Sequence, residues 1–191
     1  ETVVEETPTN TGAEDFLNSL PELSEKTKRI AADLFAADWK DRLTAVQNLA
    51  QVGPEAKNCM IKALEDENEY IRREAATGLG KLPAREAEGS VEALLNSLND
   101  PIPGVRKTVA WSLGELSLIS AAAIPRIIEL LNDEDDEVHA ACSWSLGIFA
   151  DAAVSQLQEA LNRAEAKIVS GSADALGNMG FHASPAIADL Q

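Results

Sequence analysis

The sequence predicts an all-α protein, an α-α superhelix (solenoid) of about five two-helix repeats, and three observations carry that prediction. First, the stretch Val105-Arg-Lys-Thr-Val-Ala-Trp-Ser-Leu-Gly-Glu-Leu116 recurs as Ile71–Leu82, Val138–Phe149 and Ile168–Met179, with a weaker copy at Asp41–Val52. Second, the aligned positions Ala50, Gly80, Gly114, Gly147 and Gly177 are 30, 34, 33 and 30 residues apart, a spacing that signals stacked repeats. Third, apolar residues make up 45% of the chain and aromatics only 4%. That composition is enough for a continuous interior packed by Ala, Leu, Val and Ile, without a single central core.

In chain order, residues 1–14 (ETVVEETPTNTGAE) are polar, acidic and Thr-rich, and read as a disordered acidic arm. Residues 15–37 read as N-terminal capping helices. Phe16, Leu17 and Leu20 suit a short amphipathic turn before Pro21, and Ser24 suits an N-cap for a helix carrying Thr27, Ile30, Ala31, Leu34 and Phe35. Residues 38–191 then form the repeat solenoid, with Asp38 capping the first repeated helix. A second helix type alternates with it: Pro54–Glu65, Ser90–Leu98, Ile124–Leu131, Val154–Leu161 and a partial one from Pro185. Pro54, Pro125 and Pro185 fall in first turns, where a missing N–H costs nothing. These helices close on Leu64-Glu-Asp, Leu98-Asn-Asp, Leu131-Asn-Asp and Leu161-Asn-Arg. The last repeat is incomplete at Gln191, so the natural chain is expected to continue, and the missing initiator Met reads as a processed form or a fragment.

At about 100° per residue, Val105, Val109, Leu113 and Leu116 share one face of the repeated helix. Ile71, Ala75, Leu79 and Leu82 repeat that stripe, as do Val138, Cys142, Leu146 and Phe149. The stripe is expected to face the second-type helix that follows it in its own repeat. Gly114 lies on the opposite side. A mid-helix Gly costs about 1 kcal/mol relative to Ala, so its recurrence predicts a close approach of the neighbouring repeat or the start of the turn. Ala50 implies room for one methyl group.

A unit of this form, V-R-x-x-A-A-x-x-L-G-x-L followed by a turn and P-x-x-x-x-L-x-x-x-L-x-D, resembles the HEAT-like repeat named after phycobilisome lyases. The resemblance covers about Asp38 to Gln191. It implies a superhelix whose repeated helices line the concave face. Similar repeats occur in two-subunit phycobilin lyases, phycobilisome-degradation factors, a di-iron deoxyhypusine hydroxylase and scaffolds without catalysis. The hydroxylase carries His-Glu pairs on its repeated helices as iron ligands. Here the corresponding pairs are Arg73-Glu74, Lys107-Thr108, Ala140-Ala141 and Ser170-Gly171, and none contains His.

No other catalytic pattern is visible. His139 and His182 stand alone, without metal-ligand spacing, and read as surface or interface residues. Cys59 and Cys142 lie in different repeats and read as small buried hydrophobes. No phosphate-binding loop, nucleophile elbow or Cys-His pairing occurs. The formal net charge of −16 disfavours nucleic acid and anionic membranes. No run approaches the roughly 18 apolar residues of a membrane span.

The candidate partner-binding residues therefore lie on the concave face. Trp111 and Trp144 share one repeat position with Gln47, Thr77 and Asp174, outside the apolar stripe. With Lys107, Glu115, Ile148, Arg73 and Thr77 around them, they read either as an aromatic ledge for a partner or as fillers of the seam between repeats. Asp133, Glu134, Asp135, Asp136 and Glu137 read either as solvated capping residues or as an acidic handle for a basic partner. The expected function is a protein-protein interaction scaffold or adaptor. The resemblance places it with the light-harvesting apparatus, in a cyanobacterial cytoplasm or plastid stroma, with a phycobiliprotein or another photosynthetic complex as partner. No cofactor is expected. The alternatives are a phycobilin-lyase subunit or bilin chaperone, where a bilin would bind, and an assembly factor for a metal or iron-sulfur cofactor acting through a partner.

Overall fold

The computed structural model describes residues 11–179. Among these, all regular structure is helical: α1 (Thr11–Asn18), α2 (Glu25–Ala32), α3 (Trp39–Val52), α4 (Lys57–Ala63), α5 (Glu69–Gly80), α6 (Ser90–Ser97), α7 (Pro103–Glu115), α8 (Ile124–Leu130), α9 (Asp136–Ile148), α10 (Asp151–Ala160) and α11 (Ala166–Asn178). The repeated stretches are α3, α5, α7, α9 and α11, and the second type is α4, α6, α8 and α10. Two boundaries differ from the sequence reading. The first helix already begins at Thr11, inside the expected arm, of which residues 1–10 lie outside the described residues. The helix expected from Val154 starts at Asp151, because Ala150 (φ 46°, ψ −129°) turns the chain sharply and leaves no room for the 3-10 turn that precedes α4 and α8. The partial helix from Pro185 and His182 lie outside the described residues.

Caps follow from short polar side chains. Ser24, Asp38, Asn68 and Asp135 each accept a first-turn backbone N–H with the side-chain oxygen, satisfying donors that the helix leaves unpaired. The apolar stripes are buried: Val105, Val109, Leu113 and Leu116 belong to one continuous core with Ile71, Ala75, Leu79, Val138, Cys142 and Leu146. Their partner differs from the expected one. Of the second-type helices, the one that α5, α7, α9 and α11 each pack on most is the one that precedes it: α4, α6, α8 and α10. The turn after L-x-D is short and folds the two helices into a hairpin, so the structural unit begins with the second-type helix.

The repeated glycines sit where neighbouring units touch. A Cβ at Gly80 would fall 2.7 Å from the Ser112 Cβ, and one at Gly114 would fall 3.1 Å from the Ser145 Cβ. Ala50 already carries a Cβ, and opposite it the chain places Gly78, whose own added Cβ would fall 3.2 Å from that of Ala50. Each seam therefore admits one Cβ, supplied from either side. Because these seams are so close, the repeated helices contact one another extensively, whereas the second-type helices are spread apart. A layer compressed on one side curves towards that side, so α3, α5, α7, α9 and α11 form the concave face.

Candidate functional site

Stripe residues point away from the concave surface, so the opposite face of each repeated helix is left for function. Trp111 on α7 and Trp144 on α9 occupy the same register on adjacent helices, 48% and 43% exposed. Their ring centroids are 6.0 Å apart at 63°, an edge-to-face pair of the kind aromatic quadrupoles favour. The indoles meet each other across α7 and α9 with nearly half of each left exposed, while Gly114 and Ser145 meet at the seam itself. Ser145 also ties the seam from beneath, donating its hydroxyl to the Ala110 carbonyl at 2.7 Å.

A cleft of about 330 Å³ opens beside this pair, lined by Thr77, Gly80 and Lys81, by Thr108, Trp111, Ser112 and Glu115, and by Trp144. Four of the seven sequence-predicted concave residues therefore meet there: Trp111, Trp144, Thr77 and Glu115. Lys107 lies at the edge, its ammonium 5.8 Å from the Trp111 ring centroid and 2.7 Å from the Glu137 carboxylate. Arg73 lines a second cleft of about 310 Å³, with Leu43, Gln47, Tyr70, Glu74, Thr77 and Thr108. Ile148 does not join the site. It is half-buried on α9 and lines neither cleft.

Sequence reading missed a second aromatic pair. Trp39 and Tyr70 stack at the starts of α3 and α5, centroids 6.2 Å apart at 30°, and both are exposed. The Arg73 guanidinium lies 5.9 Å from the Tyr70 ring centroid. Trp39 and Tyr70 occupy different repeat positions, so no recurrence marks them.

The acidic run is mostly engaged within the molecule. Arg106 Nε and Nη2 each donate to Asp133, at 2.8 Å. Burial pushes the Asp133 carboxyl upward, but this fork, the Asp135 N–H and the Lys167 charge outweigh it and hold the group below its ordinary value. Asp135 caps α9, Asp136 pairs with Lys167 at 3.0 Å, and Glu137 pairs with Lys107. Of the five, only Glu134 has a side chain outside these contacts, and Asp136 and Glu137 remain largely exposed although paired.

Asp133 belongs to a series that sequence reading also missed. Arg42, Arg72 and Arg106 share one repeat position, and each forks onto the aspartate ending the next second-type helix: Asp66, Asp100 and Asp133. Each Arg Nη1 also donates to the carbonyls of the turn before its own helix, as Arg72 does to Asp66 and Glu67. Each aspartate accepts the N–H two residues on, at Asn68, Ile102 and Asp135. The result is a continuous, largely buried ladder along the turns. The signal was present as the R of V-R-x-x-A-A and the D of L-x-D.

In the fourth turn both partners are replaced. His139 stands at the arginine position, its Nδ1 2.8 Å from the Leu131 carbonyl, and Arg163 stands at the aspartate position, paired with Glu129 and Glu165. Lys167 takes over the carbonyl contact, donating to Asp133 at 2.8 Å. Among the described residues no group of three or more His, Cys, Asp or Glu could hold a metal ion. Both cysteines are buried, and burial pushes the Cys59 thiol up to about 11. No helix among the described residues is long and apolar enough to cross a membrane.

The profile of HEAT repeats matches residues 28–91, 61–141 and 91–177 in three overlapping segments. A comparison with the curated proteins found no match. Among solved structures, the complex of CpcE and CpcF of phycocyanin lyase from Nostoc sp. PCC7120 is similar at 27% identity and a TM-score of 0.59, over 94% of this chain and 70% of that one. An engineered protein is similar at 20% identity and a TM-score of 0.58, over 87% and 85%. Human deoxyhypusine hydroxylase is similar at 20% identity and a TM-score of 0.56, over 86% and 67%. The last two likenesses concern the fold alone.

Proposed function

The chain belongs to the HEAT-repeat family, and from that premise we propose that it is a protein-binding scaffold whose concave face holds a partner at Trp111 and Trp144. The observation that carries this reading is their exposure as an edge-to-face pair over an open cleft. Large aromatic side chains left half-exposed on a rigid layer are the usual anchors of interfaces, because they bury much area and lose little conformational freedom. The partner is a protein of the light-harvesting apparatus, such as a phycobiliprotein, in a cyanobacterial cytoplasm or plastid stroma. The likeness to the CpcE–CpcF complex supports that choice. Photo-cross-linking from position 111 or 144 in the native organism tests the reading. One predominant cross-linked protein is expected. Failure of both positions to cross-link any protein would remove the concave face from the account.

The same likeness favours a second reading, in which the chain is a lyase subunit that holds a bilin beside the two indoles. Adding phycocyanobilin to the purified protein separates the two. A shifted absorption band with quenched tryptophan emission, both lost in Trp111→Ala, favours the lyase; unchanged spectra favour the scaffold.

A further inference from the structure

The cleft beside Trp111 is less polar than its residue types suggest. Thr77, Thr108 and Ser112 line it, but each spends its hydroxyl proton on the carbonyl one turn back in its own helix. Those acceptors are Arg73, Gly104 and Thr108, at 3.0, 2.9 and 3.0 Å. None of the three therefore offers a hydroxyl proton to an occupant. Gly80 adds no side chain, and indole supplies much of the remaining wall, Trp111 from α7 and Trp144 from α9.

Two charges stand at this cleft, Lys81 and Glu115. They hold equivalent places, each directly after a seam glycine, at the ends of α5 and α7. Their backbones are thus separated by roughly one helix packing distance, about 8–10 Å. Both are exposed, and neither forms an ion pair among the described residues. Lys107 pairs with Glu137 and lines no part of the cleft, and Arg73 lies by Tyr70 in the other one.

From this lining we infer that the cleft seats one aromatic side chain of the protein partner, flanked in the partner's chain by one acidic and one basic residue. The inference rests on the scaffold reading and specifies the partner's anchor. A volume of about 330 Å³ lies at the lower end of the roughly 300–1,000 Å³ of clefts that take whole ligands. It does not admit a helix about 10 Å across, so it suits one large side chain. A ring there adds a third member to the edge-to-face pair and gains beyond the area it buries. The charges of the lining cancel, so a charged head in the cleft would lose its water without a net opposite charge to replace it. Flanks of opposite sign are favoured instead, a carboxylate towards Lys81 and a cation towards Glu115.

Selection of random twelve-residue peptides displayed on phage against the full chain, followed by titration of the synthetic winners, tests this. Winners are expected to carry one Phe, Tyr or Trp with an acidic residue to one side and a basic residue to the other. Replacing that aromatic by Ala, or Trp111→Ala in the protein, is expected to weaken binding about tenfold or more. Thr77→Phe, which fills the cleft from α5 and leaves both indoles in place, is expected to block binding. Lys81→Glu, at an exposed position that does not bear on folding, is expected to weaken it about threefold, and Lys in place of the peptide's acidic residue to restore it. Winners anchored by an aliphatic residue, or flanked by like charges, would overturn the inference. Peptides that need Trp111 but tolerate both Thr77→Phe and Lys81→Glu would remove the anchor and leave the scaffold reading standing. Peptides indifferent to all three variants would remove both. Selection of no peptide would remove the anchor, and photo-cross-linking would still decide the scaffold.

Discussion

The first three turns of the solenoid and the fourth are built on one outline but joined by different electrostatics. In the first three, a largely buried arginine forks onto an aspartate of the next turn and donates to two carbonyls of its own. In the fourth, His139 and Arg163 exchange the signs, and the pairing moves to the more exposed partners Glu129, Glu165 and Asp136. The contrast shows that register between repeats is held in two ways. One is steric, through the single-Cβ seam. The other is electrostatic, and it weakens from α9 onward. Both aromatic pairs, Trp39–Tyr70 and Trp111–Trp144, lie on α3 to α9, whose turns the ladder spans.

The strongest test removes one rung on each side of that division. Arg72→Met leaves the Asp100 carboxylate and the Asp66 carbonyl without their donor, and is expected to cost about 3–5 kcal/mol. Arg163→Met, in the more exposed fourth turn, is expected to move the unfolding midpoint far less, because solvent screens its ion pairs. Urea unfolding of the two variants measures the difference, and equal losses would abolish the distinction between the turns.

The seam gives a second contrast of opposite sign. Gly80→Ala forces a Cβ against Ser112 and is expected to destabilise by about 1–3 kcal/mol. Gly177→Ala meets nothing within 4 Å and should stabilise α11 by up to about 1 kcal/mol. Thermal melts that shift in the same direction would show that the glycines answer to something other than close approach.

Ala150 sharpens the account of the fourth unit. Its φ of 46° is reached in the first unit by Gly53 at 83°, and a non-Gly residue held in such a region costs about 1–3 kcal/mol. Glycine adds unfolded-state entropy of roughly 0.5–1 kcal/mol, so Ala150→Gly is expected to raise stability by about 1 kcal/mol. A lower melting temperature would contradict the strain.

The smallest effect concerns pH. The Asp133 carboxyl titrates below its ordinary value in the folded protein. Its contribution is therefore fully present above about pH 4 and is lost as pH falls through the folded-state value. Asp133→Asn is expected to be less stable than the parent at pH 7, with the gap narrowing at pH 3. A gap of equal size at both values would mean that the fork does not depend on the carboxylate charge.

Much of this was legible in the sequence, but unevenly. Recurrence exposed the repeat, the buried stripe and the tight glycines, because each is written at a fixed spacing. Recurrence does not reveal phase, so α7 was paired with the helix after it when it packs on α6. Arg72 and Asp100 were both visible but lie in different motifs, and only folding makes them neighbours. The acidic run left capping and a handle both open, because its counter-charges, Arg106, Lys107 and Lys167, come from other helices. Trp111 and Trp144 were found because they repeat, whereas Trp39 and Tyr70 are brought together by the stacking of α3 on α5.

The single-Cβ seam also makes the order of the units matter. Deleting the unit that contains α7 would bring Gly80 against Ser145, the same glycine-serine match that Gly114 makes now. Deleting the unit that contains α5 would bring Ala50 against Ser112, with a side chain on both sides of a space that holds one. Duplication and loss of units are thus unequal events in this chain: some shortened forms keep a closed interior, and others are barred by one methyl group.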